Sequence, residues 1–128
     1  MYQVGIKNKF QASHLLRGDF AEESSPHEHT YDLEWVCWTE NLDENGFSVD
    51  IALLEELLEG EVQGVRGRLL NDLEFFRERQ PSVENMARFF HRRLFDALEG
   101  RGYAVARIVR AELKIWESPD AWASYLAP

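Results

Sequence analysis

Two runs of strict alternation constrain this chain more than any other feature. In residues 2–14, Tyr2, Val4, Ile6, Phe10, Ala12 and His14 share one parity, and Gln3, Lys7, Lys9, Gln11 and Ser13 share the other. From His27 to Trp38, His27, His29, Tyr31, Leu33, Trp35 and Cys37 stand opposite Glu28, Thr30, Asp32 and Glu34. Successive side chains of a strand leave opposite faces, so each run is a strand with one buried face. Residues 15–26, which include Gly18, Asp19, Ser24, Ser25 and Pro26, form the loop between them, and 40–46 read as a turn.

Helical spacing follows. Asp50 is placed to cap IALLEELLEG, with Gly60 as its stop, and Gly60, Gly64 and Gly67 make what comes next a weak or broken helix. Ser82 caps a stronger helix on which Val83, Met86, Ala87, Phe90, Leu94, Ala97 and Leu98 fall on one stripe ending at Gly100. A third strand spans Val105 to Glu117, with Arg107 breaking its apolar face, and a short fourth runs through Trp122 to Leu126. The order ββααββ predicts an α+β fold, an antiparallel sheet with two helices on one face. The 128 residues suffice for one domain, 1–128.

Charge narrows the partners. Fourteen Lys and Arg against 23 Asp and Glu leave a net charge of −9, which repels phosphate backbones and anionic membranes. No apolar run approaches the roughly 20 residues that span a bilayer. The opening MYQVGIKNKF has no signal-peptide core, and the single cysteine, Cys37, excludes an internal disulfide. The expectation is a soluble, cytoplasmic domain with no nucleic-acid or membrane partner.

Three of the four histidines lie within sixteen positions. His27 and His29 leave the same strand face, and His14 ends the preceding strand on its apolar face. If the two strands pair through the 15–26 loop, the three imidazoles converge at one end of the sheet. Three neutral imidazoles with a fourth position open describe a catalytic zinc site, with copper, nickel or iron as the lesser alternatives. The competing reading leaves the rings hydrogen-bonded to loop backbone. Glu117 is the second anomaly. Its parity, shared with Val109, Ala111, Leu113 and Ile115, aims a carboxylate at the core side, which is costly unless partnered; a bulge that turns it outward is the alternative. The fourth histidine, His91, lies off the apolar stripe of its helix and reads as a surface residue.

Taken in order, F-Q-A-S-H at Phe10–His14, H-E-H at His27–His29, V-D-I at Val49–Ile51, L-L-N at Leu69–Asn71, P-S-V-E-N at Pro81–Asn85, W-E-S at Trp116–Ser118 and W-A-S-Y at Trp122–Tyr125 make a pattern. It resembles the 6-pyruvoyl-tetrahydropterin synthase and 6-carboxytetrahydropterin synthase family over nearly the whole chain. The resemblance implies the tunnelling fold, in which two-layer subunits join their sheets into rings, and a homo-oligomer, trimer or hexamer. It implies zinc on His14, His27 and His29, and Glu117 as the carboxylate that anchors a pterin ring. The substrate implied is 7,8-dihydroneopterin triphosphate or a related pterin, the chemistry a lyase reaction, and the pathway queuosine or folate biosynthesis.

The catalytic groups depart from that pattern. The family's cysteine, four residues before its first H-x-H histidine, is replaced by Glu23. Cys37 lies ten residues beyond His27, roughly 30 Å along an extended strand, too far to substitute. The family's Asp-His pair before the L-x-N segment falls on Arg66 and Gly67, and the central glycine of its H-G-H is Glu28. A subgroup carrying glutamate in the cysteine's place is associated with side-chain cleavage to 6-hydroxymethyl-dihydropterin, which makes Glu23 the candidate base. Glu22 and Glu23 as two solvated loop charges is the alternative. At the level of function, the alternative is a non-catalytic zinc- and pterin-binding member that lacks both the Cys and the Asp-His groups.

Overall fold

A computed structural model describes residues 1–127. Strands β1 (Tyr2–His14), β2 (His27–Thr39), β3 (Ile108–Ser118) and β4 (Ala121–Ala127) form one antiparallel sheet in the order β1-β2-β3-β4. Helices α1 (Ile51–Gln63) and α2 (Val83–Gly100) lie between β2 and β3 in the chain. Both cover the same face of the sheet, α1 against β1 and α2 against β3 and β4. This is the expected ββααββ arrangement. Single turns of 3-10 helix occur at Ala21–Ser24, Leu70–Asp72, Glu74–Phe76 and Val105–Arg107. No described helix is long and apolar enough to cross a membrane.

The core is the set of inward-facing strand residues pressed against the helix stripes. Phe10, Ala12, Tyr31, Leu33, Trp35, Leu113 and Ile115 meet Leu54, Leu58, Val62, Met86, Phe90, Leu94 and Leu98, all essentially fully buried. Tyr2 shares the inward parity but stays exposed at the strand's outer end. Both predicted caps are made: the Asp50 carboxylate accepts from the Leu53 N–H, and the Ser82 hydroxyl from the Asn85 N–H, each at 3.2 Å.

Two predicted boundaries are corrected. Gly60 does not stop α1, which runs on to Gln63 with Gly64 as its cap. Leu54, Leu58 and Val62 form one stripe across Gly60, and burying such side chains is worth about 1.5–3 kcal/mol each, against about 1 kcal/mol for an interior glycine. The third strand begins at Ile108, because Val105–Arg107 is a 3-10 turn. There the Arg107 guanidinium donates to the carbonyls of Ser48 and Asn41 and to the Tyr103 hydroxyl, tying the turn to the 41–48 segment. A register shift between Trp38 and Thr39 also puts Ile108, not Val109, in the core.

Past His14 the chain is strapped to the segment before α2. The Asn71 amide accepts from the Leu15 N–H at 2.9 Å and donates to the Leu15 carbonyl at 3.0 Å. The Gln80 amide treats Arg17 in the same way, at 2.9 and 2.8 Å. A side-chain amide has one acceptor and two donors, so it can complete both backbone groups of a residue that has left the ladder.

Two substitutions should shift stability in opposite directions. A Cβ at Gly60 meets nothing within 4 Å, so Gly60→Ala should raise unfolding free energy by about 0.5–1 kcal/mol. Asn71→Ala strips both partners from Leu15 and should lower it by about 1–3 kcal/mol. Urea midpoints at unchanged slope measure both.

Candidate metal centre

The β1–β2 register runs from Tyr2 opposite Thr39 to His14 opposite His27, with Ala12 opposite His29. Inward parity at these positions sends all three imidazoles to the same end of the sheet. Ring centres are 4.6 Å apart for His14 and His27, 5.2 Å for His14 and His29, and 4.8 Å for His27 and His29. Their ligand nitrogens all lie within 4.8 Å of one another.

Backbone carbonyls fix two of the tautomers. The Pro81 carbonyl lies 2.7 Å from His14 Nδ1, and the Ser25 carbonyl 2.8 Å from His27 Nδ1. A carbonyl only accepts, so each Nδ1 carries the proton and each neutral ring presents a bare Nε2. The Nε2 atoms of His14, His27 and His29 are buried and none has a hydrogen-bond partner. Burial is the largest influence on His14 and holds its pKa below the ordinary histidine value, against the Pro81 contact and in concert with the two neighbouring rings. Three converging nitrogens without hydrogen-bond partners, two of them bared by carbonyls behind their rings, fit the demands of a transition-metal ion.

Glu117 keeps the inward parity to the end of β3, where the pairing with β4 shifts register between Trp116 and Ser118. Its Oε1 lies 3.2 Å from His29 Nε2 and 3.9 Å from His14 Nε2. The His14 contact is too long for a hydrogen bond, and neither nitrogen is satisfied by the carboxylate. Tyr31 stands beneath, fully buried, its ring centre 5.6 Å from that of His29 and its hydroxyl without a partner. Burial raises the Tyr31 pKa, and the charges of Glu117 and then Glu23 push it further.

Glu23 lies in the 3-10 turn four residues before His27, with its side chain exposed. Its backbone is held in the loop by the Leu16 N–H, which donates to the Glu23 carbonyl at 2.7 Å. Cys37 is buried far along β2, and burial pushes its thiol up to about 12. At the two positions where an Asp-His pair is absent, Arg66 forms an ion pair with Glu59 at 3.0 Å, and the Gly67 N–H donates to the Gln11 carbonyl at 2.7 Å. His91 is not the surface residue expected. It is half-buried between Phe95 and Tyr125, because β4 covers that flank of α2, and burial lowers its pKa.

A cavity of about 900 Å³ lies elsewhere. It opens between the end of α1, α2 and residues 73–79, and contains none of the three histidines. The donor chemistry, rather than hollow volume, locates the site. Sequence reasoning did not find the carbonyls of Ser25 and Pro81 or the Asn71 strap. Only Asn71, inside the L-L-N segment, left a signal to follow.

The family model for 6-pyruvoyl tetrahydropterin synthase matches residues 3–128. No curated protein matches the sequence. Among solved structures, the chain is similar to the 6-pyruvoyl tetrahydropterin synthase of Caenorhabditis elegans, with TM-score 0.84 and 20% identity over 99% of this chain and 96% of that one. It is similar to that of Plasmodium vivax, with TM-score 0.81 and 13% identity over 98% and 97%. A further form of the Plasmodium vivax protein, described as a catalytic residue mutant in which a glutamate is replaced by alanine, matches with TM-score 0.81 and 12% identity over 98% and 97%. These neighbours share the tunnelling fold expected of the chain, and the match along its length makes it a member of the 6-pyruvoyl tetrahydropterin synthase family.

Proposed function

We propose that this protein is a zinc-dependent pterin enzyme of lyase type, acting on 7,8-dihydroneopterin triphosphate or a related pterin. The observation that carries the reading is the trio of buried, unpartnered Nε2 atoms on His14, His27 and His29. Left without a cation, three such atoms each carry a desolvation cost of about 1–3 kcal/mol. An all-imidazole set suits zinc, which when bound supplies Lewis acidity toward the hydroxyls of a substrate side chain.

The chain's own groups take the remaining roles. Glu117 accepts hydrogen bonds from the amino and ring N–H groups of the pterin, and the ligand thereby partners a carboxylate aimed at the apolar side. Glu23 is the base that takes a proton from the substrate side chain. Its place in the turn entering β2, four residues before His27, supports that role. In the similar Plasmodium vivax protein a glutamate is described as a catalytic residue, which supports a carboxylate in this role. A second reading, zinc and pterin binding without turnover, draws on the buried Cys37 and on Arg66, engaged with Glu59.

Assembly as a homo-oligomer, trimer or hexamer, belongs to the same proposal. Among the described residues no further strand pairs with the outer edge of β4 or with that of β1, whose end alone bridges to Leu69 through Ser13. The sheet face opposite the helices carries Trp122 and Leu126, exposed at 54% and 47%. On that face Lys114 Nζ sits 4.1 Å from the Trp122 ring centre. Long open edges beside exposed aromatic surface are what strand pairing between copies removes. The acidic charge and unpaired cysteine accord with a cytoplasmic protein that binds neither nucleic acid nor membrane.

Purified wild type should carry stoichiometric zinc, and His27→Ala should lose it, because two imidazoles hold zinc poorly; metal analysis after dialysis decides. Glu23→Ala should reduce turnover of 7,8-dihydroneopterin triphosphate by about 10²–10⁴-fold with pterin binding retained. Product analysis together with binding separates the two readings, since tight pterin binding by wild type without turnover establishes the non-catalytic one.

A further inference from the structure

Among the described residues, Glu117 is the one carboxylate within 4.0 Å of a histidine nitrogen, and it approaches two of them, His29 and His14. Both nitrogens belong to the converging set, and neither makes a hydrogen bond with it. For His14 the Pro81 carbonyl fixes the proton on Nδ1, so in the neutral ring the lone pair of Nε2 faces the carboxylate oxygen. A lone pair and an anionic oxygen held at that separation repel unless a cation lies between them. Three imidazole nitrogens and one carboxylate oxygen, from β1, β2 and β3, are also a complete donor set for a four-coordinate divalent ion.

We infer that Glu117 is itself the fourth metal ligand while the pterin site is empty, and that it gives up this bond when a pterin ring arrives. The paired amino and ring N–H groups of a pterin take both carboxylate oxygens at once, so that two-point contact competes with donation of Oε1 to a metal. An incoming pterin thus opens the coordination position that its own side chain needs, and without a pterin the position stays closed to other small ligands. The exchange rests on the pterin reading above; the ligation does not.

The test reads metal affinity, not activity. Cobalt(II) and zinc affinities are measured by chelator competition on the purified protein with no pterin present. Glu117→Gln, which keeps the side chain's shape, should weaken both by at least tenfold and change the visible spectrum of the cobalt form. Glu28→Gln, an exposed change on the outward face of β2, should leave both unaltered. Far-UV circular dichroism identical to wild type shows that Glu117→Gln is folded. Glu117→Asp, which keeps the charge but shortens the reach, gives a second measure and should also weaken binding. Affinity within twofold of wild type in both variants overturns the ligation and leaves the proposed function standing. Next, 6-methylpterin, which has the ring but no side-chain hydroxyls, is added to the metal-loaded wild type. It should lower metal affinity several-fold, by the reciprocity of coupled binding. Bound 6-methylpterin with metal affinity unchanged overturns the exchange. No 6-methylpterin binding at all, with the Glu117→Gln metal effect intact, removes the pterin reading and the exchange with it, and keeps the ligand.

Discussion

The candidate centre depends on one constraint, the register between β1 and β2. Side chains on a strand repeat every two residues, so a slip of one position exchanges the faces of the whole strand. In the observed register His14 lies opposite His27, and Ala12, the smallest inward residue of β1, lies opposite His29. A slip by one would turn either His14 or the His27/His29 pair to solvent while also expelling Phe10 or Leu33 from the core. Burial of those apolar residues, worth about 1.5–3 kcal/mol each, therefore selects the same register that assembles the polar site. The hydrophobic core and the histidine cluster follow from a single alternation.

Position alone would not make three histidines a ligand set. The rings must also present unprotonated nitrogens, and here the irregular segments contribute. The Ser25 carbonyl comes from the end of the 15–26 loop, and the Pro81 carbonyl from the residue before the cap of α2. Asn71 and Gln80 hold the chain after His14 against that second segment. The strands thus set where the imidazoles stand, and the loops set which nitrogen of His14 and of His27 is bare.

What the sequence disclosed follows the same division. The strands, both helix caps, the inward aim of His14, His27 and His29, and the parity of Glu117 were all legible, because each rests on a period or on a local side-chain-to-backbone bond. Local propensity alone places a stop at Gly60, and the Leu54–Leu58–Val62 stripe overrides it. The pattern around Val105 reads as strand because nothing local announces that Arg107 reaches across to Ser48 and Asn41. His91 reads as a surface residue because α2 alone does not reveal that Tyr125 of β4 covers it. Carbonyl partners leave no mark in a sequence at all, since every residue has one.

Under the proposed reading, Glu23 as base and the absence of an Asp-His pair at Arg66 and Gly67 can be understood together. A thiol with an ordinary pKa of about 8.5 is mostly protonated at neutral pH, and it becomes a base or nucleophile only when a neighbouring group draws its proton or stabilises its anion. An Asp-His pair is a device of that kind. A carboxylic acid in water, with a pKa of about 4.3, is ionised at neutral pH unaided. Under the proposed reading, with Glu23 as the base, no thiol needs such a pair, and Arg66 and Gly67 meet other constraints. Here those constraints are visible: Arg66 pairs with Glu59, and Gly67 takes φ +75° and donates to Gln11. The Gly67 contact, together with donation from the Arg66 guanidinium to the Lys9 carbonyl, holds the end of α1 against β1, close to the strand end that carries His14. Catalysis by Glu23 and the absence of the dyad are therefore consistent with each other, and the two positions brace the strand that positions the first imidazole.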